Sequence, residues 1–507
     1  MSKKRIICLV VFLVLFAAVG IFAFISANSC TFEYERNLEG GITIHAYTGN
    51  RKSVVIPDAL DGLPVTEIDS GAFMHSEITD IVIPDTVKII GDRAFCRCEQ
   101  LISVNIPKSL ERIGCMAFLY TPFETALGDD EFIIINNSIL YKYNGTSDSV
   151  TIPDGITCIG GYGFYENGLT DIAIPNSVKY IETQAFASCK NLKSVTIPAA
   201  EYIGDSAFSY CDKLQTADIT SKIVGNSAFY NCTSLVDISL NKTQRMGNTV
   251  FRSCIALQSV ALPDTLTIIG NNVFYGSGLT EIDIPAGVSE IYSETFKDCT
   301  ALSRVGFKDG VTAIHNSAFS GCTALSEMVL PESLAFIGER AFFDSGLKRV
   351  MIPDSVTELG GLAFSHCSQL TEVRLSAGVA AIPHSCFDSC TALAELTIPE
   401  GVTEIGMCAF QNTPLLKTVN LPDGLKTLDF SCFYSSGIDS VFIPDSVEVF
   451  DKQAFLGDDC TTLLYTDNCK AYQQMYDAEH WRVHADYVLV EVASRKAAEE
   501  HINAQMN

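Results

Sequence analysis

A phenylalanine, usually preceded by a small residue, recurs through almost the whole chain, and no other feature restricts the fold so tightly. It stands at Phe73, Phe95, Phe118, Phe164, Phe186, Phe208, Phe229, Phe251, Phe274, Phe296, Phe319, Phe342, Phe364, Phe387, Phe410, Phe433 and Phe455. The spacing is 21 to 23 residues except for one gap of 46, two periods long. A fixed period of this length marks a stacked-repeat architecture, in which one unit cannot bury its own apolar face. Written from strand to strand the unit is L-x-x-V-x-I-P-x-x-V-x-x-I-G-x-x-A-F-x-x-C-x-x-L, and thirteen of the seventeen prolines occupy its I-P step.

Each segment of the unit has a physical reading. L-x-x-V-x-I alternates and makes a short strand with one side inward. Proline lacks an N–H and ends strand pairing. V-x-x-I-G reads as a turn that carries the chain around, and the A-F pair returns to the interior. Short units replace F-x-x-C-x-x-L by F-x-x-S-G-L, as at Phe274 to Leu279, where Gly278 tolerates the tighter turn. Confining the length change to a turn keeps the strands in register. The expected fold is a repeat solenoid with short parallel strands, curved or rod-like, of seventeen coils at about 4.8 Å each, or roughly 80 Å.

The unit resembles the BspA-like, Treponema-type class of leucine-rich repeats, over about residues 40–470. That resemblance implies a surface-exposed or secreted protein, with adhesion to host proteins or other microbes where members have a known role. It transfers no ligand, because the motif consists of core residues.

Four regions follow. Residues 1–29 hold Lys3, Lys4 and Arg5 and then an uncharged run from Ile6 to Ile25, which reads as a cleaved signal or a retained membrane anchor. Cys30 follows small residues but fits a lipidation site poorly. Residues 30–60 read as an N-terminal β cap and 61–459 as the solenoid, with an irregular insert at 119–150. Both the cap and the insert carry a hairpin-like pattern, Ile42-Thr43-Ile44 with Thr48-Gly49 in one and Phe132-Ile133-Ile134 with Asn144-Gly145 in the other. Residues 460–507 read as a C-terminal cap and polar tail, with 491–505 as a short helix or tail.

The composition argues against several partners. Net charge is −26, from 60 acidic against 34 basic residues, which disfavours nucleic acid and anionic lipid. Membrane contact is expected only through the N-terminal segment, and the chain is expected to be a monomer. Asn136, Asn144, Asn231 and Asn241 are glycosylation sequons that matter only in a eukaryotic secretory route.

Candidate chemistry has plain structural alternatives. Nine of nineteen cysteines sit three residues after the repeat Phe, and Ser, Thr, Asn or Asp fills that slot elsewhere. Buried thiols are expected there. Disulfides, if any, would be sought at Cys96–Cys98, Cys386–Cys390 and Cys460–Cys469. So many thiols in an exported chain would suit a reducing habitat. Asp58, Asp85, Asp154, Asp264, Asp354, Asp423 and Asp445 follow the I-P step and could hold calcium, or simply form turns. His480 and His484 flank the only Trp, Trp481, and pack in the cap or hold a metal. No nucleophile elbow, phosphate loop, dinucleotide fingerprint or zinc motif is present. The reading is therefore non-catalytic, with no catalytic residue, cofactor or metal assigned.

The expected function is extracellular recognition of a protein or glycan through an extended surface, or a structural spacer with no ligand. Residues flanking Val in L-x-x-V-x-I point outward and stack into two columns, mostly Ser, Thr, Asp or Glu. Arg304, Arg349, Met351 and Arg374 break that pattern over four coils and form the candidate partner-binding patch.

Overall fold

The computed structural model describes residues 32–457, 461–475 and 487–506. Among them the chain is a parallel β-solenoid with little helix. It divides into two compact units: one runs to Leu214 and includes Asp218–Ser221, and the other holds Gln215–Ala217 and the chain from Lys222 onward. The expectations for residues 1–29, for Cys460 and for His480 and His484 lie outside the described residues. No helix among the described residues is long and apolar enough to cross a membrane.

Each coil has three sides. The first is the L-x-x-V-x-I strand, as at Asp80–Val82 pairing in parallel with Ser103–Asn105. Proline then opens a tight turn in which its carbonyl accepts from the valine three residues on, as from Val87 to Pro84 at 3.1 Å. The second side corrects the reading of V-x-x-I-G as a turn. Its x-I pair forms another parallel ladder, such as Ile89–Ile90 with Arg112–Ile113. The alternating positions hide this from the pattern, because two residues are too few to show a period. Gly91 follows for a steric reason: a Cβ there would stand 2.7 Å from the Ser70 nitrogen of the previous coil.

The third side is the Phe turn. Its rings stack coil upon coil with centroids 4.8 Å apart at Phe164–Phe186 and 5.7 Å at Phe229–Phe251. Those separations are the offset-stacking range for aromatic pairs, and the rings are buried. Around each ring alternate amides donate to the next coil: Arg93 to Cys115 at 2.8 Å, Phe95 to Ala117 at 2.8 Å, and Arg97 to Leu119 at 2.9 Å. Arg93 and Arg97 adopt left-handed backbone, φ 55° and 60°, and equivalent non-glycine residues do so in coil after coil. A left-handed residue costs about 1–2 kcal/mol. The inter-coil hydrogen bonds and the ring burial, about 1.5–3 kcal/mol per side chain, offset it.

The first unit contains two hairpins of one design. Phe32–Arg36 pairs antiparallel with Ile42–Tyr47, and Phe132–Ile135 with Ile139–Tyr143, each with a register shift after its second residue. In both, a tyrosine takes the place of the repeat Phe: Tyr47 stacks 5.2 Å from Phe73 and Tyr143 5.0 Å from Phe164. Gly49 and Gly145 let each tyrosine ring fold over the backbone, since a Cβ would stand 2.6 and 2.3 Å from its hydroxyl. The segment at 119–150 thus repeats the start of the array. Between the two, the short helix Pro122–Ala126 brings Phe123 edge-on to Phe118 at 4.9 Å.

In the second unit the strand side comes in separate sheets, among them Glu281–Ile284 with Arg304–Phe307, and Arg349–Met351 with Glu372–Arg374 and Glu395–Thr397. Residues 326–330, with Met328 at the Val position, and 417–421 form no strand. The helix Arg495–Met506 follows the strand Tyr487–Glu491, its Ala498 is buried, and Arg495 donates to the Leu421 carbonyl at 3.1 Å.

Candidate functional site: the strand side of the second unit

The inward residues of the strand are fixed by the core, so the chemistry that can vary on this side lies in the two outward columns. Parallel register places Arg349 beside Glu372 and Met351 beside Arg374. Arg304 lies in a different sheet, beside Glu281. The structure therefore brings Arg349, Met351 and Arg374 together and separates Arg304 from them by the strandless coil at 326–330.

The arginines also differ electrostatically. Arg304 donates to Glu281 at 3.1 Å and, through both terminal nitrogens, to Asp283 at 2.7 and 3.0 Å. Gly306 permits this, because a Cβ there would meet Asp283 Oδ1 at 2.1 Å. The hydrogen bonds from Arg304 hold the Asp283 carboxyl below the usual aspartate range. Arg374 pairs with Asp354 at 3.2 Å. Arg349 makes no ion pair among the described residues. Beside it Met351 is exposed, and Val329, which holds the same repeat position one coil earlier, is 86% exposed.

The other candidates resolve into structure. Cys98, Cys189, Cys211, Cys254, Cys299, Cys322, Cys367 and Cys390 each donate to the Phe carbonyl of the preceding coil at 3.0 to 3.3 Å. Thr121 and Thr413 in the same slot donate to the Phe of their own coil, at 2.7 and 2.8 Å. The slot needs a small donor, and a thiol supplies one. The sixteen described cysteines include no disulfide, at Cys96–Cys98 or Cys386–Cys390 in particular. Burial pushes the Cys299 and Cys367 thiols up to about 11 and those of Cys189 and Cys254 to about 12, which suppresses the reactive thiolate. In the Asp column, Asp85 accepts from the Lys108 amide at 3.1 Å and Asp354 from the Ala377 amide at 3.0 Å, so these carboxylates tie one coil to the next rather than closing their own turn. Among the described residues no group of three His, Cys, Asp or Glu is placed to hold a metal.

Two features escaped the sequence reading. One is an asparagine ladder: Asn226 caps the Asn248 amide and Asn248 caps the Asn271 amide, both at 2.8 Å. Its signal is Asn directly after the I-G step, repeated over three coils. The other is a buried pair in the first unit. Arg112 donates to Glu182 at 2.5 and 3.0 Å, with its guanidinium 5.1 and 4.8 Å from the rings of Tyr180 and Tyr202. Burial raises the Glu182 carboxyl against the pull of Arg112, while Arg112 itself is held charged by Glu182. Glu182 occupies the repeat's Gly position, and that departure was the available signal.

Residues 66–173, 157–254, 244–371 and 363–476 match the BspA type Leucine rich repeat region, in six copies. The chain belongs to that family. No curated protein matches the chain. Among solved structures it is similar to a leucine-rich repeat protein from Bacteroides ovatus, with 23% identity over 92% of this chain and 100% of that one, TM-score 0.44. A leucine-rich cell surface protein from Faecalibacterium prausnitzii is 23% identical over 94% of this chain and 98% of that one, TM-score 0.29. The pneumococcal vaccine antigen PcpA is 14% identical over 94% of this chain and 100% of that one, TM-score 0.34.

Proposed function

We propose that this BspA-type repeat protein is displayed outside the cell and recognises a protein or glycan through the strand side of its second unit. The basic, then apolar, N-terminal sequence supports export, and the family resemblance supports a surface location. The observation that carries the binding reading is Arg349. It is an exposed guanidinium without an ion pair among the described residues, on a face where Arg304 and Arg374 are each tied to aspartate, and exposed Met351 and Val329 lie in the neighbouring column. An arginine beside apolar surface is the composition of a binding hot spot. The partner would present a carboxylate or an array of hydroxyls to Arg349 and an apolar group to Met351.

The test is a binding screen of the purified chain against extracellular-matrix proteins and whole cells, followed by Arg349→Ala together with Arg374→Ala. Saturable binding that weakens at least about tenfold, with an unchanged circular dichroism melt, is expected. Unaltered affinity would remove the patch, and absence of any saturable binding would favour the spacer reading.

A further inference from the structure

The first run of coils in the first unit ends beside a cleft that is independent of the strand side. An open cleft of about 850 Å³ is lined by Arg97, Glu99, Tyr120, Pro122, Glu124 and Thr125. That volume falls in the range of small-molecule sites, about 300–1,000 Å³. The coil and the short helix Pro122–Ala126 fix its walls. Tyr120 has left-handed backbone, φ 62°, and its ring is held out to 61% exposure. Arg97, one coil earlier, lies 5.6 Å from that ring's centroid. Glu124 is set by the Thr121 hydroxyl, which accepts from its amide at 3.0 Å. The hydroxyl of buried Tyr141 donates to Glu124 Oε1 at 2.8 Å. Burial, then the adjacent Glu124, keeps that phenol protonated far above its ordinary range. Glu124 Oε2 accepts no hydrogen bond among the described residues.

We propose that this cleft is a subsite for a neutral pyranose. Its chemistry combines an exposed aromatic face, two carboxylates that accept from hydroxyls and one guanidinium that donates to them. A pyranose offers both halves of the match, an apolar C–H face for Tyr120 and vicinal hydroxyls for Glu124, Glu99 and Arg97. An anionic ligand would meet two carboxylates. A lysine or arginine side chain from a partner would be repelled by the Arg97 guanidinium beside the Tyr120 ring, whereas a neutral sugar would not.

The experiment is saturation-transfer NMR on the full chain, using methyl glycosides of neutral hexoses and of N-acetylated hexosamines as probes, with a tetralysine amide as competitor. Saturable binding of at least one glycoside is expected. Tyr120→Ala should weaken it at least about tenfold, Tyr120→Phe should keep it, and Glu124→Gln should reduce it. Tyr120 is exposed, so the melt of its variants serves as a folding control. Absence of glycoside binding to the wild-type chain, full retention by Tyr120→Ala, or displacement by the tetralysine amide would each overturn the proposal.

Discussion

The Phe-turn side and the strand side of the same coils are held together differently. On the turn side the hydrogen bonds recur even where the strand is lost. The coil whose residues 326–330 form no strand still accepts on its turn side, at Glu339, Ala341 and Phe343, from Ser317, Phe319 and Gly321 of the coil before, at 2.8 to 2.9 Å. The coil with no strand at 417–421 behaves alike, with Cys408, Phe410 and Asn412 donating to Phe430, Cys432 and Tyr434 at 2.7 to 2.9 Å. The irregular-looking turn is therefore the persistent ladder, and the regular-looking strand is the intermittent one. Ring burial concentrates on the turn side, so outward residues of the strand side are free to vary without loss of the stack. This is the physical ground for placing recognition there.

The largest effect should come from removing a turn-side ring. Phe319→Ala leaves a cavity among buried neighbours and should cost about 3–5 kcal/mol, read from the denaturation midpoint. A loss below about 1 kcal/mol would undo the asymmetry between the two sides.

Of similar size is the effect expected at the Arg112–Glu182 pair of the first unit. Arg112→Met strands the Glu182 carboxylate and should cost about 3–5 kcal/mol, and Arg112→Met with Glu182→Leu should recover most of it. Equal losses in the single and double variants would show that Arg112 acts by packing on Tyr180 and Tyr202 instead.

A smaller effect tests the backbone. Ser389 has φ 60° and donates through its amide to Gln411 at 2.8 Å. Ser389→Val should cost about 1–2 kcal/mol, whereas Ser389→Gly should be neutral or stabilising. Thermal melts of the two variants decide it, and equal melts would refute the left-handed requirement.

The smallest effect belongs to the strand side. Asp283 sits below its ordinary value of 3.8 because Arg304 bonds its charged form. A depressed folded value adds stability above the unfolded value, lost as pH falls through the folded one. Asp283→Asn should therefore lower the denaturation midpoint slightly at neutral pH and not at all once aspartates are protonated. A difference that persists in acid would implicate packing rather than charge.

Much of this was legible in the sequence. The Phe period fixed the coil, the I-P step fixed the end of the strand, and the small-residue slot anticipated buried thiols. The second ladder at residues such as Ile89–Ile90 was not legible, because two residues are too few to show a strand period. The same holds for left-handed Arg93 and Ser389, whose types give no warning of positive φ. Arg304 and Arg349 look equivalent in sequence, but Arg304 has Glu281 and Asp283 one coil before it and Gly306 to admit the aspartate, whereas Val329 stands in the aspartate's place before Arg349. The strandless stretch at Glu327 to Val329 departs from the motif only in having Met328 at the Val position, too slight a change to announce a lost strand.

Native-state hydrogen exchange on the whole chain tests the asymmetry most directly. The account predicts slow exchange at the turn-side amides of Phe95, Phe319 and Phe410, together with early exchange at Glu327, Met328 and Val329 on the strand side. Faster exchange at those phenylalanines than at the outward strand residues Arg349 to Met351 would contradict it.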